Sequence, residues 1–126
     1  MAVDVIPADV RAFVLQYIDS IAQLEALLLM RANPQDSWNP ARIAKRLYIG
    51  ERDAEAVLSR LCGNGLVADA GGTYRYEPQT PSRRELVDRL ADTYARHLIP
   101  VTNLIHDKQR GIREFADAFR IRRERS

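Results

Sequence analysis

The stretch from Trp38 to Tyr76 limits the fold most, because a helical apolar rhythm appears twice there and then switches to alternation. Asn39 is a good N-cap and Pro40 suits the first helical position, where a missing N–H costs nothing. Ile43, Ala44 and Leu47 predict the inner face of a short helix, with Arg42, Lys45 and Arg46 pointing elsewhere. Ile49-Gly50 reads as a turn. Glu51 to Cys62 predicts a second helix with Ala54, Val57, Leu58 and Leu61 inward, and Gly63-Asn64-Gly65 ends it, since Gly or Asn accommodates the left-handed conformation. "LVADAGGTYRYEP" then alternates around Gly71-Gly72, two glycines able to supply the positive φ of a tight hairpin. Trp38 is expected to pack back on the first of these helices as a hydrophobic staple.

Two long helical patterns flank this segment. Upstream, Val10, Val14, Tyr17, Ile21, Leu24 and Leu28 form one stripe of a helix over residues 10–32, starting near Pro7 and Asp9. Pro34 ends it. Downstream, Ser82 with Glu85 reads as a capping box opening a helix over 83–108. Its seam is Val87, Leu90, Tyr94, His97, Val101 and Leu104. Pro100 should kink or divide that helix, and Gly111 should break the chain again before a last amphipathic helix carrying Ile112, Phe115, Ala116 and Phe119. The expected organisation is an N-terminal helix (1–36), a central unit (37–81), and C-terminal helices with a basic tail (82–126). Leaving such apolar stripes wet is unfavourable by about 1.5–3 kcal/mol per large side chain. A homodimer through the two long helices is therefore expected.

Apolar residues make up 46% of the 126 and charged residues 29%, enough for a core and too ordered a balance for wholesale disorder. The net charge of +2 hides a gradient. Basic against acidic side chains number two to five in residues 1–36, six to five in 37–81, and eleven to seven in 82–126. Cys62 is the one cysteine, which rules out an internal disulfide and fits a reducing cytoplasm. Gln16, Asp19, Gln23 and Glu25 interrupt residues 10–30, short of the roughly 18 apolar residues a membrane helix needs, and there is no signal-peptide pattern. No membrane partner is expected, and a cytoplasmic location is.

Ile43 to Tyr76 resembles the winged helix-turn-helix of bacterial transcriptional regulators, whose usual string runs "IAxxLxLSxSTVSxxLxxLxxxGLI" into a hairpin. Ile43, Ala44 and Leu47 match its first helix. Val57 or Leu58, Leu61, Gly65, Leu66 and Val67 match the second helix and the start of the wing, and "GGTYRY" is similar to a short wing. The resemblance covers about 40 residues and implies a mainly α fold with a two-stranded wing. It also implies a dimeric transcriptional regulator that binds double-stranded DNA, with Arg42, Lys45, Arg46, Arg52, Ser59, Arg60 and Arg75 as contacts. Two departures stand out. Tyr48 occupies the turn position usually held by Gly, and the second helix opens with Glu51, Asp53 and Glu55 where hydroxyls are usual. Those carboxylates oppose phosphate binding, although acids early in a helix also stabilise its dipole. The alternative is a winged-helix module that binds no DNA and docks a protein partner through Glu51, Asp53 and Glu55.

Other chemistry finds little support. His97 and His106 lie nine apart, without the i, i+4 spacing of helical zinc ligands, so neither a metal nor another cofactor is expected. His97 falls on the apolar seam and reads as a packed histidine. Cys62 reads as a small half-buried hydrophobe. No phosphate-cradling loop or nucleophile elbow occurs, and no catalytic residues are assigned, so an enzyme is not expected. The tail arginines Arg120, Arg122, Arg123 and Arg125 either bind nucleic acid or complement their helix's C-terminal dipole.

Overall fold

The computed structural model describes residues 5–125, and the side chains of residues 5–118. The order is α1 (Ala8–Tyr17), α2 (Ile21–Ala32), α3 (Pro40–Leu47), α4 (Glu51–Gly63), β1 (Val67–Asp69), β2 (Tyr74–Tyr76), α5 (Pro81–Arg96) and α6 (Leu98–Arg125). The chain is thus mostly helical with one small antiparallel sheet.

The expected helix over 10–32 is two helices meeting at a bend of 113°. Ser20 starts α2 by accepting a hydrogen bond from the Gln23 amide N–H at 3.1 Å. The Gln23 side chain, buried, reaches back to accept from the Asp19 N–H and donates to the Tyr17 carbonyl at the end of α1. Ser20-x-x-Gln23 is therefore a capping box stretched by one residue. It satisfies backbone groups that a continuous helix would have paired internally.

Two residues anticipated as a cap and turn behave so. Asn39 accepts from the Arg42 N–H at 2.8 Å to open α3, with Pro40 in its first turn. Helix α4 closes with Leu66 N–H bonded to the Leu61 carbonyl and Gly65 N–H to the Cys62 carbonyl. Gly65 stands at φ 73°. That double bond pattern satisfies the last carbonyls of the helix, and the left-handed position favours Gly. A side chain at 65 would also meet Arg83 and Gln79. Strands β1 and β2 pair Val67 with Tyr76 and Asp69 with Tyr74, turned by Gly71 and Gly72, both at positive φ.

Trp38 does more than pack on α3. Its backbone bridges Tyr74, with N–H to carbonyl bonds of 2.7 and 2.6 Å in both directions, and adds a third rung beside the hairpin. Its ring is fully buried and packs back against α3, with Arg42 and Arg46 of that helix over it at 3.9 and 5.8 Å.

The C-terminal pattern is also redrawn. Thr80 caps α5, accepting from the Arg83 N–H, and Pro81 takes the first turn, so the cap lies two residues before Ser82. The expected division near Pro100 falls at His97, which ends α5. Pro100 then sits in the opening turn of α6, where its missing N–H and its ring are tolerated. His97 is half-buried at this joint. Gly111 does not break the chain, and α6 runs through it.

One core joins all of these parts. Val10, Phe13, Val14 and Ile18 of α1 and its exit meet Leu24, Leu27 and Met30 of α2. The same cluster takes in Leu58 and Leu61 of α4, Val87 and Leu90 of α5, and Val101, Leu104 and Ile105 of α6. The stripes that argued for a dimer through residues 10–32 and 83–108 therefore cover one another within a single chain. Uncovered apolar side chains remain at Leu15, Leu98 and Ile99 within those stretches, and at Tyr48, Ile112 and Phe115 outside them. Among the described residues, no single helix is long and apolar enough to cross a membrane; α1 and α2 qualify only as a bent pair.

Candidate functional site

Helices α3 and α4 are joined by Tyr48, Ile49 and Gly50. Ile43, Ala54, Leu58 and Leu61 face inward and pack with Leu66, Val67 and Tyr76 of the hairpin. This leaves the outer sides of α3 and α4 and the middle of β2 open to solvent. Arg42, Lys45, Arg46, Arg52, Ser59, Arg60 and Arg75 are all exposed there.

They are not equally free. Arg42 pairs with Asp36 at 3.0 Å, donates to the Ser37 carbonyl at 2.7 Å, and lies 3.9 Å from the centre of the Trp38 ring. Its guanidinium serves the fold by covering that buried indole. Arg46 approaches the same ring at 5.8 Å. Arg60 pairs with Asp19 across the α1–α2 bend. Among the described residues Lys45, Arg52 and Arg75 make no ion pair. Ser59 sits on α4 beside Arg60 and lines a groove between α2 and α4.

Glu51, Asp53 and Glu55 are exposed as well and, among the described residues, none pairs with a cation. Gly50 gives α4 no side-chain cap, so Glu51 and Asp53 are what balances the positive end of the helix. The opening turns of α4 thus present three carboxylates around one guanidinium, Arg52.

Tyr48 deserves its departure from the usual glycine. It holds φ 57° and ψ 44°, the left-handed region, and its side chain is 95% exposed. A non-glycine residue in that conformation costs roughly 1 kcal/mol, and an exposed ring recovers little of it by packing. The position was legible in the sequence; its exposure was not.

Sequence reasoning missed a groove between α2 and α4, lined by apolar Ala22, Ile49, Ala56, Val57 and Ile112 and by polar groups that include Asp19, Asp53 and Arg60. A second depression shares Ala22 and Ile49 and leads on to Leu47 and Tyr48. It also missed Asp19, which receives both Arg60 and Lys108, the latter at 2.8 Å. No local signal could have found that pairing, because the partners are 41 and 89 positions away in sequence.

Three tyrosines are held neutral to higher pH than usual. Burial, then the Glu25 carboxylate that accepts its hydroxyl at 2.8 Å, pushes Tyr94 up to about 12. Burial raises Tyr76, helped by Asp88 and opposed by Arg84 and Arg31. Burial and Asp69 raise Tyr74. None is a group poised to titrate near neutrality. Among the described residues no three His, Cys, Asp or Glu side chains cluster as metal ligands. No protein-family model, curated protein or solved structure matches this chain.

Proposed function

We propose that α3, α4 and the hairpin form a winged helix-turn-helix and that the protein is a dimeric, DNA-binding transcriptional regulator of the bacterial type. The observation that carries this reading is the closure of α3, α4 and the β1–β2 hairpin around Ile43, Leu58, Leu61 and Val67. That closure leaves Lys45 of α3, Arg52 of α4 and Arg75 of β2 exposed and, among the described residues, in no ion pair. In this architecture the start of the second helix enters the major groove while the first helix and wing meet the backbone. Arg52 would read base edges, and Lys45, Arg46 and Arg75 would hold phosphates. Arg42 and Arg60 contribute less, being engaged with Asp36 and Asp19.

Replacing Arg52 with alanine should change sequence preference. Replacing Lys45 should weaken binding to all duplexes alike and flatten the salt slope by about one unit. Equal affinity for wild type and both variants in an anisotropy titration removes the reading.

A second reading has its own support. Glu51, Asp53 and Glu55 outnumber Arg52 on the opening turns of α4, which suits docking to a basic protein surface better than to phosphates. It predicts no duplex retention at physiological salt, together with a protein partner lost when Glu51 and Glu55 become lysine.

A further inference from the structure

The groove between α2 and α4 has a volume of about 770 Å³, within the range of small-molecule sites, and its lining includes none of Lys45, Arg46, Arg52 and Arg75. It exists because α2 presents Ala22 there and α4 presents Ala56; two methyl groups leave room that longer side chains would fill. Ile49, Val57 and Ile112 add further apolar lining. On α4, Asp53, Ala56, Val57 and Arg60 stand at i, i+3, i+4 and i+7, so one face of the helix supplies a carboxylate, an apolar stretch and a guanidinium in that order. From Asp53 to Arg60 this face runs about 10 Å.

Most of the polar lining is already spent. Asp19 holds Arg60 and Lys108, and Lys108 rests also on the Val14 and Ile18 carbonyls. Ser20 and Gln23 are bonded to each other and to the α1–α2 bend. Asp53 is not spent. It gives α4 no cap bond and, among the described residues, makes no hydrogen bond or ion pair. Glu51 and Glu55 stand on the same opening turns, and the three carboxylates outweigh Arg52 together with the roughly half positive charge of the helix end. The groove therefore joins an apolar surface to one uncompensated negative charge. An anion would meet Asp53 and find Arg60 taken; a bare metal ion would find a single carboxylate.

We infer that this groove binds a small organic cation, an ammonium group carried on an apolar body of about 10 Å. The ammonium pairs with Asp53, and the body lies over Ala56 and Val57 against Ala22 and Ile49. Such an occupant leaves Arg52 uncovered. It also neutralises one of the three carboxylates that oppose phosphate, so occupancy raises affinity for a duplex; this consequence rests on the DNA reading above, whereas the site itself does not.

The probe is 4-phenylbutylamine, titrated into the full chain without DNA and followed by amide NMR shifts. Shifts should centre on Ala22, Ile49, Ala56 and Val57. The neutral 4-phenylbutanol and the anionic 4-phenylbutyrate share its body, and the amine should bind about threefold or more tighter than either. Asp53→Asn should remove that preference and leave affinity for the alcohol unchanged. Ala56→Phe, at an exposed position and with far-ultraviolet circular dichroism unchanged, should weaken all three by at least about tenfold. Equal binding of the three probes, no binding, or shifts confined to residues outside the groove overturns the site. With a duplex added, affinity that does not rise at saturating amine overturns the coupling alone. A chain that binds the amine as described but never binds a duplex overturns the DNA reading and keeps the site.

Discussion

Lys108 is the joint between α6 and the α1–α2 bend, and its removal gives a sharp energetic test. Its ammonium lies 2.8 Å from Asp19 Oδ1, 2.9 Å from the Ile18 carbonyl and 3.3 Å from the Val14 carbonyl, with the side chain 13% exposed. It therefore serves as a largely covered cation at the C-terminal end of α1, where the helix dipole favours positive charge. Arg60 binds the other oxygen of the same carboxylate, yet its own side chain is 61% exposed. The two partners of Asp19 should thus differ in worth. Hydrogen bonds to a charged group contribute about 1.5–3 kcal/mol each and do not add fully, so Lys108→Met should cost about 2–3 kcal/mol. Arg60→Ala loses a solvent-screened pair and should cost less than about 1 kcal/mol. Urea denaturation followed by circular dichroism measures both, with the slope against denaturant unchanged if only stability moves. If Lys108→Met costs under about 0.5 kcal/mol, or no more than Arg60→Ala, the ammonium does not anchor α6 as described.

Further predictions follow from other sites. Trp38→Ala empties a fully buried site under Arg42 and should destabilise by about 3–5 kcal/mol, read by the same denaturation. A loss below 1 kcal/mol would contradict its place in the core. Tyr48→Gly should raise stability by about 0.5–1 kcal/mol, since glycine adopts φ 57° without strain and little packing is lost; a loss would show that the ring packs. Tyr94 has its pKa raised in the folded state to about 12 from 10.0, so the stability it contributes is full below pH 10 and is lost as pH climbs through 12. Thermal melts over that alkaline range should fall less steeply for Tyr94→Phe, and identical profiles would remove this coupling.

How much of this could be read from the letters depends on whether the signal was local. Asn39-Pro40, the inward Ala54, Leu58 and Leu61, the Gly65 stop and the Gly71-Gly72 turn each act within a few residues of themselves, and each stands where expected. The break at Ser20 was also local, a serine followed three residues on by a glutamine. It was masked because Ile18, Ile21 and Leu24 keep the apolar rhythm across the bend. Thr80 displaced Ser82 as cap because Pro81 favours the first helical turn, which fixes the preceding residue as the cap. Gly111 was over-read, since a single glycine weakens a helix by only about 1 kcal/mol.

The candidate site was legible as a set of exposed side chains but not as a set of free ones. That Arg42 covers Trp38 and that Arg60 is tied to Asp19 depends on tertiary neighbours. The groove beside α4 is equally tertiary, built from the α1–α2 bend, α2, the turn between α3 and α4, α4, and one residue of α6.

The proposed role reduces to phosphate neutralisation by Lys45, Arg46 and Arg75, against three opposing carboxylates. The most direct measurement is the affinity for a random-sequence duplex across a salt series. Three such cations per copy predict that log K falls against log salt with a slope of about −2 to −3 per copy, at roughly 0.9 per phosphate neutralised. Binding that is undetectable at low salt, or a slope near zero, would contradict it.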